Sequence, residues 1–424
     1  MSRELVALLG DQEMARVYRD SRGRLSLEYA DDWRTSDEAH PLSLSMPLTM
    51  RRHGHRVVSA FLWGLLPDSS LILDRWAKRF HVSLGEPFGL LSYVGADCAG
   101  AVRFTRPEQV EAPSEGKLES SWLDEAAIAR RLRELSRDVA AWRLDRDASQ
   151  LTLAGARPKT ALLLERGRFG IPSARVATTH ILKPAFGDLD GQAENEHFCL
   201  LLARLAGLPT ASSQVMLFED QVAIVVERFD RLRGAGAIAR VHQEDLAQAL
   251  GVPPTNKYEN EGGPGARAIV DLLRQHSRHP EEDVTTFVLA LAYGFMIAAT
   301  DAHSKNYSLL MGAGGRVRLA PLYAVASALP HRDPHTLELA MRIGGTYRLR
   351  DIAGQQWQKL ARELGLDPDE VVAGVTGLAR ALPDLAGEAL DRCRKDGLHH
   401  SVLKRLVVAI RERSGAWLRA TTNT

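Results

Sequence analysis

Cysteine is scarce in this chain, and the few cysteines present form no recognisable pattern. The chain has 424 residues and 3 cysteines, Cys98, Cys199 and Cys393, with no Cys-x-x-Cys spacing. An odd number of widely separated cysteines argues against a disulfide framework and against a structural zinc site. We therefore expect a protein of a reducing compartment and predict a cytoplasmic location.

Long apolar runs and an excess of charge of one sign are also lacking. No stretch reaches the roughly 18 apolar residues of a membrane span, and the N-terminal segment has no sustained apolar core, so we expect neither a membrane helix nor a signal peptide. Lysine plus arginine number 54 and aspartate plus glutamate 53, for a formal net charge of +1. This balance does not favour nucleic-acid binding through the overall field, although a local basic patch is compatible with it.

The order of the segments indicates several structural units. Residues 6–18 predict a hairpin broken at Gly10, residues 106–121 read as a polar linker, and a helix is predicted to begin near Ser121 with an apolar stripe reaching Val139. Short runs rich in β-formers follow at residues 160–164, 179–183 and 221–227, with a helix over 194–205 between them. Helices dominate beyond residue 233, and residues 287–297 predict a buried helix. A mixed sheet followed by a helical lobe is the order of a protein-kinase-like fold with an extra domain in front.

A polar cluster directly follows the predicted buried helix. Asp301 and Asn306 in the segment TDAHSKN (residues 300–306) have the D-x-x-x-x-N spacing of a kinase catalytic loop. In that loop the aspartate accepts the proton of the substrate hydroxyl and the asparagine binds magnesium. Taken alone the match is weak, since capping residues at a helix C-terminus would give the same letters.

Three upstream segments carry residues of types that could bind a nucleotide. Small residues in Ala154–Lys159 would let backbone amides approach phosphate oxygens, although a plain β-turn has the same letters. Lys183 ends an apolar strand, where it would either meet a phosphate, Glu194 or Glu196, or extend to water. Glu227–Phe229 follows the last strand of the sheet, at the place of a kinase hinge, or is a charged strand end.

Taken in order, the motifs of this chain resemble the HipA kinases, the toxin halves of bacterial HipBA toxin–antitoxin modules. The resemblance extends from the first strands to beyond residue 330. The motifs that carry it are HPLSLSMPL (residues 40–48), FLWGLLPD (61–68), GADCAGAVRF (95–104), LAGARPKTALL (153–163), TTHILKP (178–184), AENEH (193–197), VERFDR (226–231), HQEDLAQALG (242–251), KYENEGGPG (257–265) and TDAHSKNYSLL (300–310).

The resemblance implies an α+β, protein-kinase-like two-lobed fold of HipA type. We expect a small N-terminal α/β subdomain over residues 1–110, a mixed-sheet N-lobe with the phosphate loop over 111–232, and an all-α C-lobe with the catalytic loop over 233–424. It also implies ATP and Mg²⁺ as cofactors.

Residue roles follow from the same resemblance. Asp301 would be the general base, and Asn306 would bind Mg²⁺. Thr152 aligns with the family's autophosphorylated serine, whose modification ejects the loop and stops the kinase. The residues expected at the nucleotide are Ala154, Gly155, Ala156, Arg157, Pro158 and Lys159 of the phosphate loop, Lys183, the hinge residues Glu227, Arg228 and Phe229 through their backbone groups, His303, Ser304, Lys305 and Asn306 of the catalytic loop, and Tyr323 and Ala324.

The chain departs from the family after Pro321. The family reads P-[FL]-Y-D, with an aspartate that bridges Mg²⁺ to the phosphates, whereas this chain reads Pro321-Leu322-Tyr323-Ala324. A methyl group does not coordinate a hard cation, so the rate should fall by a factor on the order of 10² to 10³. Two explanations compete: an aspartate was replaced to make a toxic kinase obtainable, which we favour because the other motifs are intact, or the natural protein is a pseudokinase.

Three hypotheses about function remain open at this point. The first is a Ser/Thr protein kinase toxin, bound by a dimeric HipB-like helix-turn-helix antitoxin that makes most of the contact with operator DNA. Its protein substrate by family precedent is a translation component such as glutamyl-tRNA synthetase, an aminoacyl-tRNA synthetase. The second is an inactive corepressor that binds the antitoxin, and the third is a small-molecule kinase.

Overall fold

The computed structural model describes residues 3–110, 120–138, 152–172, 176–187, 189–234 and 238–422. The chain divides into two compact units, each made of several segments. The first unit contains Met1–Pro184, Leu217–Thr255 and Leu309–Val317. The second contains Ala185–Met216, Asn256–Ser308 and Arg318–Thr424. The three predicted domains are continuous segments of the chain, whereas each of these units is made of several segments. The three-domain division therefore stays a prediction.

The first unit begins with a five-stranded antiparallel sheet. Its strands lie in the order Arg52–His53, Leu25–Tyr29, Gln12–Arg19, Glu4–Leu9 and Val102–Thr105. The predicted hairpin is confirmed, since Glu4–Leu9 pairs with Gln12–Arg19 across a turn in which Gly10 has φ +60°. Helices Asp31–Arg34, His55–Gly64, Ser70–Phe80 and Pro87–Val94 accompany this sheet and contribute to one continuous hydrophobic core with it.

A second sheet of the first unit carries Lys183 and the start of the hinge segment, which the resemblance assigns to nucleotide binding. Its strands in this unit lie in the order Gln221–Glu227, His180–Pro184, Thr160–Glu165, Arg168–Ile171 and Ser121–Trp122. The three strands predicted from β-forming runs are therefore confirmed. The unit also contains the strand pair Arg231–Arg233 and Ile238–Arg240, the strand His242–Asp245 and the helices Glu125–Arg137 and Leu246–Ala249.

The predicted helix near Ser121 begins later than expected. Ser121–Trp122 pairs with Arg168–Ile171 as a short edge strand, and the helix starts at Glu125 because the Asp124 carboxylate caps it by accepting the Ala127 N–H at 2.7 Å. Val139, the predicted end of its apolar stripe, lies outside the described residues, as do residues 111–119 of the predicted linker.

The second unit is mainly helical. Its long helices are Gln192–Leu205, Ala266–His276, Pro280–Ile297, Gly354–Leu364, Pro368–Lys395 and Ser401–Thr422. Pro280–Ile297 contains the predicted buried helix, and the ring of its Phe295 makes edge contacts with Trp357 and Trp417 at centroid distances of 5.8 and 5.6 Å. These aromatic contacts join three of the helices into one core.

The C-terminal region is not wholly helical, which corrects one detail of the prediction. The strands Glu338–Ile343 and Thr346–Arg348 form a small antiparallel pair in the second unit. Ser213–Phe218, Ser308–Gly312 and Arg316–Leu319 are strands that cross a boundary between the units. These strands have 3 to 6 residues and lie next to segments with helical periodicity, and the sequence pattern did not identify them.

The three cysteines are free and buried. In the part of the chain that the structure describes, no helix combines the length and the apolar character needed to cross a membrane.

Candidate functional site

The predicted phosphate loop, residues 154–159, is a compact turn in the first unit. Gly155 has φ +103° and forms an isolated parallel bridge with Pro67, and its carbonyl accepts the Asp68 N–H at 3.2 Å. Lys159 is only 7% exposed, and its Nζ donates to the Ala154 carbonyl at 2.6 Å. The positive φ of Gly155 is a conformation that residues with a Cβ rarely adopt, so it requires a glycine, and a Cβ here would also lie 2.5 Å from that ammonium.

Thr152, the predicted autophosphorylation residue, is completely buried beside this loop. Its Oγ1 donates to the Leu65 carbonyl at 2.8 Å, and its N–H donates to the Asp97 carbonyl at 3.1 Å. A phosphate group does not fit on a hydroxyl held in this way. The segment must leave its place before Thr152 can be modified.

The motif FLWGLLPD (residues 61–68) supplies the groups that hold this region. Leu65 binds the Thr152 hydroxyl, while Pro67 and Asp68 contact Gly155 through their backbones. The motif therefore acts as a support for the loop, a task that sequence patterns did not assign to it.

Lys183 lies within the second sheet of the first unit. It is 9% exposed on the strand His180–Pro184 and pairs in register with Ile224 of the neighbouring strand. A buried ammonium needs a counter-charge or polar partners. Glu194 and Glu196, its predicted alternatives to a phosphate, are buried in the helix Gln192–Leu205 of the second unit, and the pairing itself stays a prediction.

The predicted hinge segment begins at the end of the strand Gln221–Glu227. The Arg228 N–H donates to the Thr179 carbonyl at 2.9 Å, which continues the ladder one residue past the strand. The Arg228 guanidinium turns inward and forms a bidentate pair with Asp230 at 3.0 and 2.8 Å. Its side chain is thus committed to the interior, so any contact of Arg228 with a nucleotide would be made by its backbone.

Arg228 belongs to a buried ionic cluster, defined as Asp97, Arg228, Asp230, Arg231 and Arg240. Asp97 accepts from Arg231 Nη2 at 2.9 Å and lies 3.6 Å from Arg228 Nη1. Burial alone would raise the pKa of Asp97, but the guanidinium groups of Arg231, Arg228 and Arg240 hold this pKa below its ordinary value. The pKa of Asp230 is likewise lowered by Arg228 and Arg231 against the effect of burial. The cluster therefore keeps its carboxylates ionised inside the first unit.

The predicted catalytic loop in the second unit folds around one backbone carbonyl. The carbonyl of Asp301 accepts the His303 N–H at 2.9 Å and the Asn306 Nδ2–H at 2.7 Å. The Asp301 side chain is 74% exposed, and His303 Nε2 lies 3.9 Å from its Oδ1. The loop thus presents a carboxylate at the surface of this unit, as a proton acceptor for an incoming hydroxyl requires.

Tyr323 connects the segment before Ala324 to the same loop. Its hydroxyl donates to the Lys305 carbonyl at 2.8 Å and contacts Ser308 Oγ at 2.6 Å. Ala324 follows with φ 53°, a left-handed conformation that is unfavourable for alanine and that aspartate, asparagine and glycine adopt more readily. The backbone at position 324 therefore suits the aspartate found in the family better than the alanine present here.

The residues at this loop do not complete a magnesium site. The amide of Asn306 donates from Nδ2 to Asp301, which places its carbonyl oxygen on the other side of the group. A second oxygen ligand is absent at Ala324, and among the described residues no group of three His, Cys, Asp or Glu side chains could hold a metal ion. Mg²⁺ requires oxygen ligands in near-octahedral geometry, so this chain fits the ion only in part.

Two residues important to these sites were missed by the sequence patterns. Asp97 anchors the ionic cluster, and Tyr258 donates to Asp301 Oδ1 at 2.6 Å. Both lie in motifs that carried the resemblance, GADCAGAVRF and KYENEGGPG, but no spacing rule connects them to their partners. Both motifs carried the resemblance but had no catalytic role assigned to them, and this was the one sign in the sequence that their residues have another task.

Comparison with known proteins gives a consistent result over the whole chain. Residues 151–386 match the model of the HipA-like C-terminal domain, and residues 5–105 match that of the HipA N-terminal domain. The chain is 36% identical over 400 residues to the protein Y4mE of Sinorhizobium fredii, covering 91% of this chain and 94% of that protein. It is 28% identical over 401 residues to the serine/threonine-protein kinase toxin HipA of Shewanella oneidensis, covering 90% and 88%.

A solved structure agrees with these sequence matches. The HipA chain in the complex of Shewanella oneidensis HipA, HipB and operator DNA superposes with a TM-score of 0.84 at 25% identity, covering 99% of this chain and 98% of that one. The predicted fold class, α+β and protein-kinase-like of HipA type, is confirmed by this match.

Proposed function

The chain belongs to the HipA family, and from that premise we propose that it is an ATP- and Mg²⁺-dependent serine/threonine protein kinase whose activity is suppressed by Ala324. The observation that carries the proposal is the loop around Asp301. Its exposed carboxylate, the Asn306 amide closing the loop and the Tyr323 contact to Lys305 support a role of this loop in phosphoryl transfer.

The proposed reaction transfers the γ-phosphoryl group of ATP to a serine or threonine hydroxyl. The hydroxyl oxygen forms a bond to the γ-phosphorus, the bond from that phosphorus to the β–γ bridging oxygen breaks, and ADP leaves. Asp301 receives the hydroxyl proton, which its exposed position allows. When bound, Mg²⁺ would neutralise charge on the phosphates, with Asn306 as one ligand and an aspartate at 324 as the other.

In the first unit, we assign the nucleotide to the phosphate loop, Lys183 and the hinge. The loop contributes backbone amides and Lys159, whose ammonium would leave the Ala154 carbonyl for a phosphate oxygen. Lys183 would contribute a second positive charge, and residues 227–229 would bind adenine through backbone groups. Support comes from their places in the first unit: Lys159 ends the turn shaped by Gly155, and Lys183 lies on the strand His180–Pro184, beside the strand that leads to the hinge.

A HipB-like antitoxin is the proposed partner. The HipA structure that this chain resembles is a complex with HipB and operator DNA. A formal net charge of +1 supports DNA contact mainly through the antitoxin. The substrate would be a protein, by family precedent a translation component such as an aminoacyl-tRNA synthetase.

A natural pseudokinase acting as a corepressor is the second candidate. The observation that favours it is the methyl group at Ala324, which removes a metal ligand. Against it stand the left-handed backbone at 324 and the intact loop around Asp301, both suited to an active kinase.

The experiment is restoration of the ligand by Ala324→Asp, with labelled phosphate followed into the chain itself and into candidate protein substrates. We expect transfer to appear with Ala324→Asp and to disappear when Asp301→Asn is added. Absence of transfer in a folded, nucleotide-binding Ala324→Asp protein would favour the pseudokinase.

A further inference from the structure

The motif KYENEGGPG (residues 257–265) lies directly against the catalytic loop within the second unit. The Tyr258 hydroxyl donates to Asp301 Oδ1 at 2.6 Å, and the Tyr258 ring meets His303 edge-on with centroids 4.9 Å apart. The preceding residue, Lys257, also contacts the loop, since its carbonyl accepts a hydrogen bond from Ser304 Oγ at 2.9 Å. Two consecutive residues thus contact the loop at three places.

The shape of this motif is fixed by its own glycines. The Tyr258 carbonyl accepts the Gly263 N–H at 2.9 Å and the Glu261 N–H at 3.1 Å, which closes a tight turn. A Cβ on Gly263 would lie 2.2 Å from the Asn256 carbonyl oxygen, and one on Gly265 would lie 2.1 Å from Glu259 Oε1. A larger residue at Gly263 would press on the backbone and force the turn open, whereas one at Gly265 would displace the Glu259 carboxylate.

The motif is also anchored on the side away from the catalytic loop. Glu259 accepts the Arg342 N–H at 2.8 Å and pairs with Arg342 Nε at 3.0 Å, on the strand Glu338–Ile343. The side chain of Glu259 is largely buried, so this pair is less screened than an exposed one. The backbone of Tyr258 is therefore held from both neighbours, and its hydroxyl has a defined position before any substrate arrives.

Asp301 needs such a restraint. Its side chain is largely exposed, and an exposed carboxylate ordinarily samples several rotamers. A hydrogen bond from a phenol to a carboxylate is charge-assisted and strong, so it selects one rotamer. With Oδ1 occupied by Tyr258, Oδ2 is the oxygen left for the incoming hydroxyl.

We propose that Tyr258 is a positioning residue for the phosphoryl-transfer reaction: it holds Asp301 in the rotamer that accepts the substrate proton. This role rests on the proposed kinase function and deepens it. Because Tyr258 acts through Asp301 and not on the nucleotide, its loss should lower kcat and leave the KM for ATP nearly unchanged.

The test uses the full chain with Ala324→Asp as parent and Tyr258→Phe as the variant. We expect kcat for transfer to a protein acceptor to fall about tenfold, with the KM for ATP within about twofold of the parent, because one charge-assisted hydrogen bond and a near-attack geometry are lost.

Tyr293→Phe is the matched control in the same unit. It removes the same oxygen atom and a hydrogen bond of the same 2.6 Å length, from Tyr293 to the Cys199 carbonyl in the core. We expect Tyr293→Phe to lower the melting temperature without lowering kcat.

The possible results distinguish the proposed kinase function from the positioning role of Tyr258. A parent that transfers no phosphate overturns the proposed function and this role with it. An active parent whose Tyr258→Phe variant keeps its kcat overturns the positioning role alone. Equal losses of kcat in both variants, following their losses of stability, would also overturn it.

Discussion

Asp97 and Arg231 form an ion pair of 2.9 Å in which both side chains are almost fully buried. Asp97 lies in the segment that matches the HipA N-terminal domain, and Arg231 follows the proposed hinge. Together with the contacts of Leu65 and Pro67 to Thr152 and Gly155, this pair connects N-terminal residues of the first unit to the segments proposed to bind the nucleotide. The first 105 residues thus have a structural task in this unit, beside any partner that they bind.

Breaking this pair should be costly. Asp97→Ala leaves Arg231 and Arg228 buried without one of their counter-charges, so we expect the free energy of unfolding to fall by about 3–5 kcal/mol. Asp31→Ala, which removes exposed pairs with Arg34 and Arg51 in the same unit, is the control and should change it by less than about 1 kcal/mol. Urea titration measures both. Equal effects of the two changes would show that the cluster is energetically like a surface pair.

The buried carboxyl of Glu244 should make the stability of the protein fall as pH rises. Its carboxyl is buried and accepts the Leu44 N–H at 2.8 Å. Burial raises its pKa to about 8, against about 4.3 in the unfolded chain. Between these values the unfolded state loses the proton and the folded state keeps it, so the contribution of Glu244 to stability falls as pH rises.

Glu244→Gln tests this sign. Glutamine keeps the oxygen that accepts from Leu44 and has no proton to lose. We therefore expect the stability of the variant, compared with that of the unaltered chain, to increase between pH 5 and pH 8. Chemical unfolding at each pH measures the free energy of unfolding of both proteins. If the free energies of unfolding of the unaltered chain and of the variant changed in parallel with pH, Glu244 would already be ionised in the folded protein.

Because the hydroxyl of Thr152 is buried, we expect phosphorylation of Thr152 to accompany release of the loop. In an Ala324→Asp background we expect phosphate on Thr152, and we expect the buried Thr152–Leu65 hydrogen bond to be lost with it. Trypsin should then cut after Lys159, which is buried in the unmodified protein. Mass spectrometry and limited digestion report the two events, with Thr152→Ala as the control. Phosphate on Thr152 without new cleavage at Lys159 would separate modification from release.

Local patterns predicted much of the fold, and long-range partners were beyond their reach. The hairpin at Gly10, the buried helix before Thr300 and the loop from Asp301 to Asn306 depend on neighbours along the chain, so periodicity and spacing suffice. The partners of Asp97 and Tyr258 lie 134 and 43 residues away, at Arg231 and Asp301. No sequence period encodes such pairs.

The same contrast applies within the candidate site. The absence of an oxygen ligand at Ala324 was readable from a motif of four residues. Its left-handed φ of 53° was not, because a motif of four residues does not determine the backbone conformation of one of them. Sequence therefore identified the altered position, and the backbone geometry indicates which residue suits it.

A complex with a HipB-like antitoxin is expected from the family. We predict that this chain and a HipB-like protein encoded beside its gene co-purify, with two kinase chains per antitoxin dimer by light scattering. Because the net charge is near zero, complex formation should be only mildly salt-sensitive, whereas operator binding by the assembly should weaken steeply with salt. Two proteins that stay separate at micromolar concentration would contradict the toxin–antitoxin assignment while leaving the kinase fold intact.

In the proposed function, a single missing oxygen ligand at position 324 suppresses a kinase. The direct measurement is the rate of phosphate transfer from labelled ATP by the unaltered chain, by Ala324→Asp and by Ala324→Gly. Glycine relieves the left-handed backbone without adding a ligand, so it separates conformation from metal binding. We predict that Ala324→Asp is faster than the other two by a factor on the order of 10² to 10³. Equal rates for the three proteins, or an Ala324→Gly rate equal to that of Ala324→Asp, would contradict the claim.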